Sequence, residues 1–341
     1  MKSYKSAIWL LLTTSFLCIP GGERLTAHAE NSKTDILRVA MLVPRSNVWV
    51  IEAKKWSDKL TEATKGRLSV RIYWGGAAGD ERAVIQKMRE GQIDASAISS
   101  TSLSPYVRQV MIMEAPGLFE NYKQLDEVLK TLGEDFETEA YKNGFKILGW
   151  GDIGTVRILS KQPIKKITRD MRRMRPWLWT QSAMMKEFYR RIGVTGIPLE
   201  IPEVYPGLLS GMIDTVFGSA IAALAARWFT KTPYVTKESS GFITGAFVVA
   251  RKRWDSLEPD VSSALHNLAR KYQNDIVKDL RKMDVEAYGR ILKRGVTAVH
   301  VEDIPEVQKV AKQLTDHFVG RLYSRELLDK VEKICALHRK P

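Results

Sequence analysis

Cysteine is almost absent: Cys18 and Cys335 are the two in 341 residues, too few for a disulfide framework or a cysteine-rich zinc site. Long apolar runs are missing too. Beyond residue 29 no stretch approaches the about 18 apolar residues that a membrane-spanning helix needs. The phosphate loop G-x-x-x-x-G-K-[ST], the G-x-S-x-G nucleophile elbow and the H-E-x-x-H zinc motif do not occur. His266, His300, His317 and His338 are scattered without metal-ligand spacing, so surface or hydrogen-bonded histidine is the default. No cofactor or metal is called for; carboxylate acid–base pairs stay open, since sequence alone does not exclude them. Hydrophobic residues at 44% and charged residues at 27% exclude bulk disorder, collagen and coiled coil.

Charge is lopsided, with a formal net charge of +14. The basic residues are nevertheless dispersed, most of them a few positions from an acid. Arg172, Arg173 and Arg175 form the densest patch, and it is short. Without an aromatic-interleaved basic stripe, nucleic acid is not expected as a partner. A solvated basic surface facing anionic lipid is the better reading.

Residues 1–29 read as a cleaved secretory signal peptide. Lys2 and Lys5 precede an apolar run from Ala7 to Ile19, and Ala27-His28-Ala29 offers small residues for cleavage before Glu30. A lipidated Cys18 is disfavoured by the bulky Leu17 before it. Cleavage also removes Arg24 and Glu23, leaving about +12. Cys335 then stands alone as a small buried hydrophobe in a C-terminal helix.

What is present is an α/β pattern. Ile36–Leu42 reads as a buried strand, and a helix capped by Asn47 follows, with Trp49, Ala53, Trp56, Leu60 and Ala63 spaced by three and four. Leu68, Val70, Ile72 and Trp74 alternate as a half-buried strand. A glycine-rich turn leads into a helix opened by Asp80 and Glu81, acids at its positive end. Ile93–Ile98 is a third strand. This βαβαβ order predicts a mostly parallel sheet, with a ligand crevice at the carboxyl ends of its strands: Val43–Trp49, Trp74–Glu81 and Ser99–Ser104.

A second α/β unit is predicted from Gly154. Phe242–Ala250 reads as a strand that returns the chain to the first unit. Pro259–Arg294 then reads as one helix of more than about 50 Å, long enough to brace two domains. The expected division is residues 30–153 with 240–258 as the first domain, 154–239 with 295–341 as the second, and 259–294 as the helix spanning both.

Aromatic residues gather at predicted strand ends. Trp49 and Trp74 lie in the first unit. Trp177 and Trp179, two apart in an extended stretch, share one face. Phe217 ends a strand ahead of a helix. Single tryptophans most often pack in cores. As a set at strand ends, these also fit an apolar ligand cleft with a few polar anchors.

Several motifs, taken in order, resemble those of one family. They are Thr64-Lys65-Gly66-Arg67-Leu68, Gly79-Asp80-Glu81-Arg82 followed by Met88-Arg89-Glu90-Gly91-Gln92-Ile93-Asp94, Ala115-Pro116-Gly117-Leu118-Phe119, and Glu203-Val204-Tyr205 with Gly211-Met212-Ile213-Asp214. Together they resemble the substrate-binding proteins of TRAP (tripartite ATP-independent periplasmic) transporters, of the dicarboxylate-receptor type. The resemblance implies a periplasmic-binding-protein-like α/β fold, two domains joined by hinge strands and a long helix. It also implies a periplasmic location, integral-membrane transporter subunits as partners, an organic-acid ligand and no catalysis. Family members usually clamp the carboxylate with an arginine in a K-x-R stretch. Here Arg175-Pro176-Trp177 occupies that stretch, so Trp177 stands where the arginine would. Thr215-Val216-Phe217-Gly218-Ser219 is likewise largely apolar. The chain is similar to a subgroup with more hydrophobic clefts.

The expected ligand is therefore organic and substantially apolar, with or without a carboxylate. Trp177, Trp179 and Phe217 are expected to bury it, with Trp49 and Trp74 contributing from the first domain. Arg175, Ser219, Ser100 and Thr101 are candidates for its polar end. An ABC-type solute receptor, a periplasmic carrier of lipid or another hydrophobic compound, and an exported enzyme are the competing readings.

Overall fold

The computed structural model describes residues 34–43, 45 and 47–339; the expected signal peptide lies outside them. The first apolar runs build a five-stranded sheet. Its strands are β1 (Asp35–Ala40), β2 (Leu68–Tyr73), β3 (Ala95–Ser99), β4 (Phe145–Thr155) and, much later in the chain, β10 (Phe242–Ala250). Their order is β2-β1-β3-β10-β4. β1 runs parallel to β2 and β3, as the βαβαβ pattern requires, while β10 is antiparallel to both its neighbours. Helices α1 (Asn47–Ala63), α2 (Glu81–Arg89), the short α3 (Ser100–Leu103) and α4 (Tyr122–Lys142) accompany this sheet. Lys65 and Gly66 adopt positive φ and end the turn after α1. Arg67, one residue on, pairs with Glu258 and Asp260 far along the chain.

The second lobe is built on a smaller sheet of order β11-β9-β5-β8, from β5 (Arg157–Ser160), β8 (Thr215–Gly218), β9 (Tyr234–Thr236) and β11 (Thr297–Val299). Between β5 and β8 lie α5 (Ile167–Asp170), β6 (Trp177–Trp179), α6 (Ala183–Ile192), β7 (Ile197–Leu199) and α7 (Ile201–Ser210). β6 and β7 form a separate parallel pair. A short α8 (Ala220–Ala225) follows β8. The helix expected over Ser219–Phe229 stops there, because Arg227 takes a left-handed conformation and starts a separate turn at Trp228.

Two of the crossings between lobes are made by strands that are hydrogen-bonded to each other. β4 runs into β5 through Val156, whose N–H donates to the Gly241 carbonyl at 2.9 Å; the Ser240 N–H donates to the Val156 carbonyl at 3.0 Å. After α9 (Arg251–Asp255), the 35-residue α10 (Pro259–Lys293) lies along both lobes. Its Val261, Leu265 and Ala269 pack into the first lobe, while Leu280, Ala287 and Ile291 pack into the second.

Glycine makes the close approach of α10 to β4 feasible. A Cβ at Gly151 would fall 2.5 Å from Gln273 Nε2, and one at Gly149 would fall 2.8 Å from Gln273 Cγ. At Gly154, φ is +101° and a Cβ would meet the Asp284 carboxyl at 2.3 Å. Asp284 is 4% exposed. It accepts the Thr155 N–H at 3.1 Å and the Ile221 N–H at 3.0 Å, tying α10 to the crossing strand and to α8.

The last two helices, α11 (Ile304–His317) and α12 (Arg325–Leu337), modify the expected division. β11 pairs with β9 in the second lobe. Leu328, Val331 and Cys335 of α12 instead bury into the first-lobe core with Leu125, Val128 and Leu132 of α4. Gln124 Nε2 donates to the Cys335 carbonyl at 2.9 Å. Burial pushes the Cys335 thiol up to about 11, which leaves it protonated and unreactive at neutral pH. Among the described residues no helix is long and apolar enough to cross a membrane.

Candidate functional site

A cleft of about 1230 Å³ opens between the lobes. First-lobe residues around the carboxyl ends of β1 and β3 line one side, including Leu42, Val43, Ser99 and Thr101. Trp177, Trp179, Phe217 and Trp228 line the other. The two sides also touch directly: Ser102 Oγ donates to Gln181 Oε1 at 2.8 Å.

The aromatic side follows from strand alternation. In β6, Trp177 and Trp179 face the cleft and Leu178 turns the other way, against Tyr189 and Ile192. Trp177 is 4% exposed. Its indole N–H donates to the Leu199 carbonyl at 2.8 Å, and its ring meets Trp228 edge-on at 5.6 Å. Trp179 is only half-buried. The indole Nε1 atoms of Trp179 and Trp228 are both shut off from solvent without a hydrogen-bond partner. Phe217 packs at 5.9 Å from the Tyr189 ring and reaches the cleft beside them.

Other expected residues lie elsewhere. Arg175 precedes β6, so strand alternation does not govern it. Its backbone N–H donates to Asp214 Oδ1 at 2.7 Å, and its side chain, 60% exposed, stands 3.5 Å from Asp214 Oδ2, outside the cleft. Ser219 is fully buried as the N-cap of α8, accepting the Ala222 N–H at 3.3 Å, and does not line the cleft. Ser100 is likewise consumed internally, its hydroxyl 2.7 Å from that of Thr244. Trp74 follows β2 and is not among the residues that line the cleft. Trp49 stands in the first turn of α1, and its side chain is not among those described. Thr101 does line the cleft. Because Arg175 is solvated, we expect Arg175→Ala to weaken ligand binding by under about 1 kcal/mol. Calorimetric titration checks this, and a loss of several kcal/mol would restore Arg175 as a carboxylate clamp.

Two acids in the cleft stand outside the expected site residues, although Glu81 ends the predicted crevice segment Trp74–Glu81. Glu81 opens α2, where Asp80 caps the helix by accepting the Ala83 N–H. Instead of facing water, Glu81 is 8% exposed. Its Oε2 accepts the Ser99 hydroxyl at 2.5 Å and the Ser99 N–H at 3.2 Å. Glu114 ends a 3₁₀ turn, Arg108–Glu114. Its Oε2 accepts the Thr101 hydroxyl at 2.6 Å. Its Oε1 is closed off from solvent with no partner. Burial raises the pKa of both, that of Glu114 to about 7, with the negative charge of Glu81 adding to the effect. Among the described residues that line the cleft there is no arginine, and the one lysine, Lys282, is exposed on α10.

Two α/β lobes joined by paired crossing strands, with a cleft between them, define a two-domain binding protein. Residues 39–321 match the family described as bacterial extracellular solute-binding protein, family 7. The chain belongs to that family. It is 22% identical over 287 residues to the 2,3-diketo-L-gulonate-binding periplasmic protein YiaO of Escherichia coli, an alignment covering 78% of this chain and 87% of that one. Among solved structures it resembles a TRAP periplasmic solute-binding protein from Ralstonia eutropha with bound (S)-2-acetolactate. There the TM-score is 0.81 at 21% identity, covering 89% of this chain and 99% of that one. A second, from Pseudomonas putida with bound D-glucuronate, gives a TM-score of 0.81 at 18% identity over 89% and 98% of the two chains. The family and these structures are solute-binding proteins, not enzymes.

Proposed function

We propose that this protein is the periplasmic receptor of a TRAP-type membrane transporter and that its solute is an organic compound with a substantial apolar body. The integral-membrane subunits of that transporter are its partners. The observation that carries the reading is the cleft wall of Trp177, Trp179, Phe217 and Trp228, at the place where the family resemblance leads one to expect a carboxylate-holding arginine. Burying about 150 Å² of apolar ligand surface contributes about 4 kcal/mol, roughly half of the net free energy that micromolar affinity needs, so polar contacts must supply the rest. The related proteins named above hold hydroxylated acids; here the wall offers mostly carbon.

Mass spectrometry of small molecules extracted from the purified protein tests this directly. A compound with an extended apolar moiety is expected. Added back, it should also lower the radius of gyration in small-angle scattering, because ligand favours the closed arrangement of the lobes. Tight binding of a uronate, unaffected by Trp179→Ala, would overturn the reading.

A further inference from the structure

We propose that the solute carries a protonated amine, and that its ammonium binds at the Glu81–Glu114 end of the cleft while its apolar body lies against the tryptophans. The inference rests on the apolar-cleft reading above and adds the charge of the ligand to it.

Most of the cleft's acids already have a cation of the protein's own. Asp152 is paired with Arg281 at 2.7 Å, Glu52 with Lys55 at 2.7 Å and Glu120 with Arg339 at 3.4 Å, while Glu238 is hydrogen-bonded to His300 at 2.6 Å. Glu81 and Glu114 are different. Among the described residues neither has a basic partner; Glu81 is buried, Glu114 is half-buried with one oxygen shut off from solvent, and an isolated carboxylate in such a place is costly. The groups around Glu114 come from three elements: Thr101 on α3, Thr244 on β10 and Glu81 on α2. Glu81 is the one charged group among them, and it is of the same sign. The protein's own donors cover Glu81 Oε2 and Glu114 Oε2; Glu114 Oε1 lies shut off from solvent beside Thr244, without a well-aligned hydrogen bond.

A carboxylate ligand would bring further negative charge to this pair, with no arginine among the described cleft residues to offset it. An ammonium supplies three N–H donors and a positive charge in one compact group. Set beside the two carboxyls, it supplies the positive charge that neither has from the protein. Hydrogen bonds between charged partners in such a site are about twice as strong as neutral ones. An apolar body next to the ammonium then matches the tryptophan side, whose ring faces also favour a nearby cation.

The pairing also fixes a pH dependence. Free Glu114 holds its proton to about pH 7, and the ammonium favours the ionised form. Amine affinity therefore rises as pH increases through about 7, and binding releases a proton.

Calorimetric titration of the purified protein with tryptamine, tryptophol and indoleacetate separates the possibilities, since the three share one apolar body. We expect tryptamine to bind at least about tenfold more tightly than the other two near pH 8, and to lose that advantage near pH 6. In Glu114→Gln its advantage over tryptophol should disappear. The wild-type pH series keeps the test decisive if that variant does not fold. Tightest binding by indoleacetate, or equal binding of all three at both pH values, would overturn the cationic ligand and leave the apolar cleft standing. Millimolar or weaker binding of all three would overturn both.

Discussion

Trp177→Ala is expected to lower folding stability by about 3–5 kcal/mol, the cost of emptying a large aromatic site in a core. Trp177 is 4% exposed, meets Trp228 edge-on and donates its indole N–H to the Leu199 carbonyl, so truncation opens a cavity and orphans a buried acceptor together. Trp179→Ala should behave differently. Its side chain is half-buried and its indole N–H has no protein partner, so removal should cost the fold under about 1.5 kcal/mol and the complex about 2–4 kcal/mol. Urea denaturation of both variants, alongside calorimetry with the extracted ligand, distinguishes them. Wild-type stability in Trp177→Ala would mean that the tryptophan pair does not divide the work in this way. The sequence alone favours Trp177 as the main ligand contact; the hydrogen bond to Leu199 makes it first a structural member of the wall.

Asp284→Ala carries the second large effect. The carboxyl of Asp284 accepts the backbone N–H of Thr155 on one oxygen and that of Ile221 on the other. Each buried donor left without a partner costs about 1–3 kcal/mol, so a loss of about 2–5 kcal/mol is expected. Asp284→Asn retains a single carbonyl oxygen and should lose about half as much. Guanidinium melts read both numbers. Equal stability of all three proteins would show that water replaces the carboxyl, and that α10 is not anchored to the crossing strand through this residue.

How much was legible before the structure depends on which physical signal each element carries. β1, α1, β2, α2 and β3 are written in period-two and period-four patterns, and α10 in a long run of them, so they emerge from spacing alone. β4 does not. FKILGWGDIGT spends Gly149, Gly151 and Gly154 on clearance for Gln273 and Asp284, and glycine is a poor strand signal. The strand is shaped by a helix more than a hundred residues away, and local pattern has no access to that. β9 is three residues long and equally mute.

The candidate site divides in the same manner. Trp177, Trp179, Phe217 and Thr101 stand where strand ends and alternation suggest. Trp228 hides behind the left-handed Arg227 that breaks the expected helix. Glu81 looks like an ordinary first-turn acid, and a helix N-terminus explains it fully until its 8% exposure is known. Glu114 sits in a 3₁₀ turn with no periodicity at all. The clearest sequence clue was negative: Trp177 at the position of an expected arginine.

The sheet order β2-β1-β3-β10-β4 has a consequence for how the chain matures. β10 lies between β3 and β4, yet β3 ends at Ser99 and β10 begins at Phe242. Until residues 242–250 have been made, the first sheet exists as two unjoined pieces, and α4 still lacks its cover of α12 at 325–337. The second sheet waits in turn for β11 at 297–299. Such long-range pairing is slow to form, because loop closure must precede the contacts that reward it. A nascent chain of this topology stays uncommitted until nearly its whole length is synthesised.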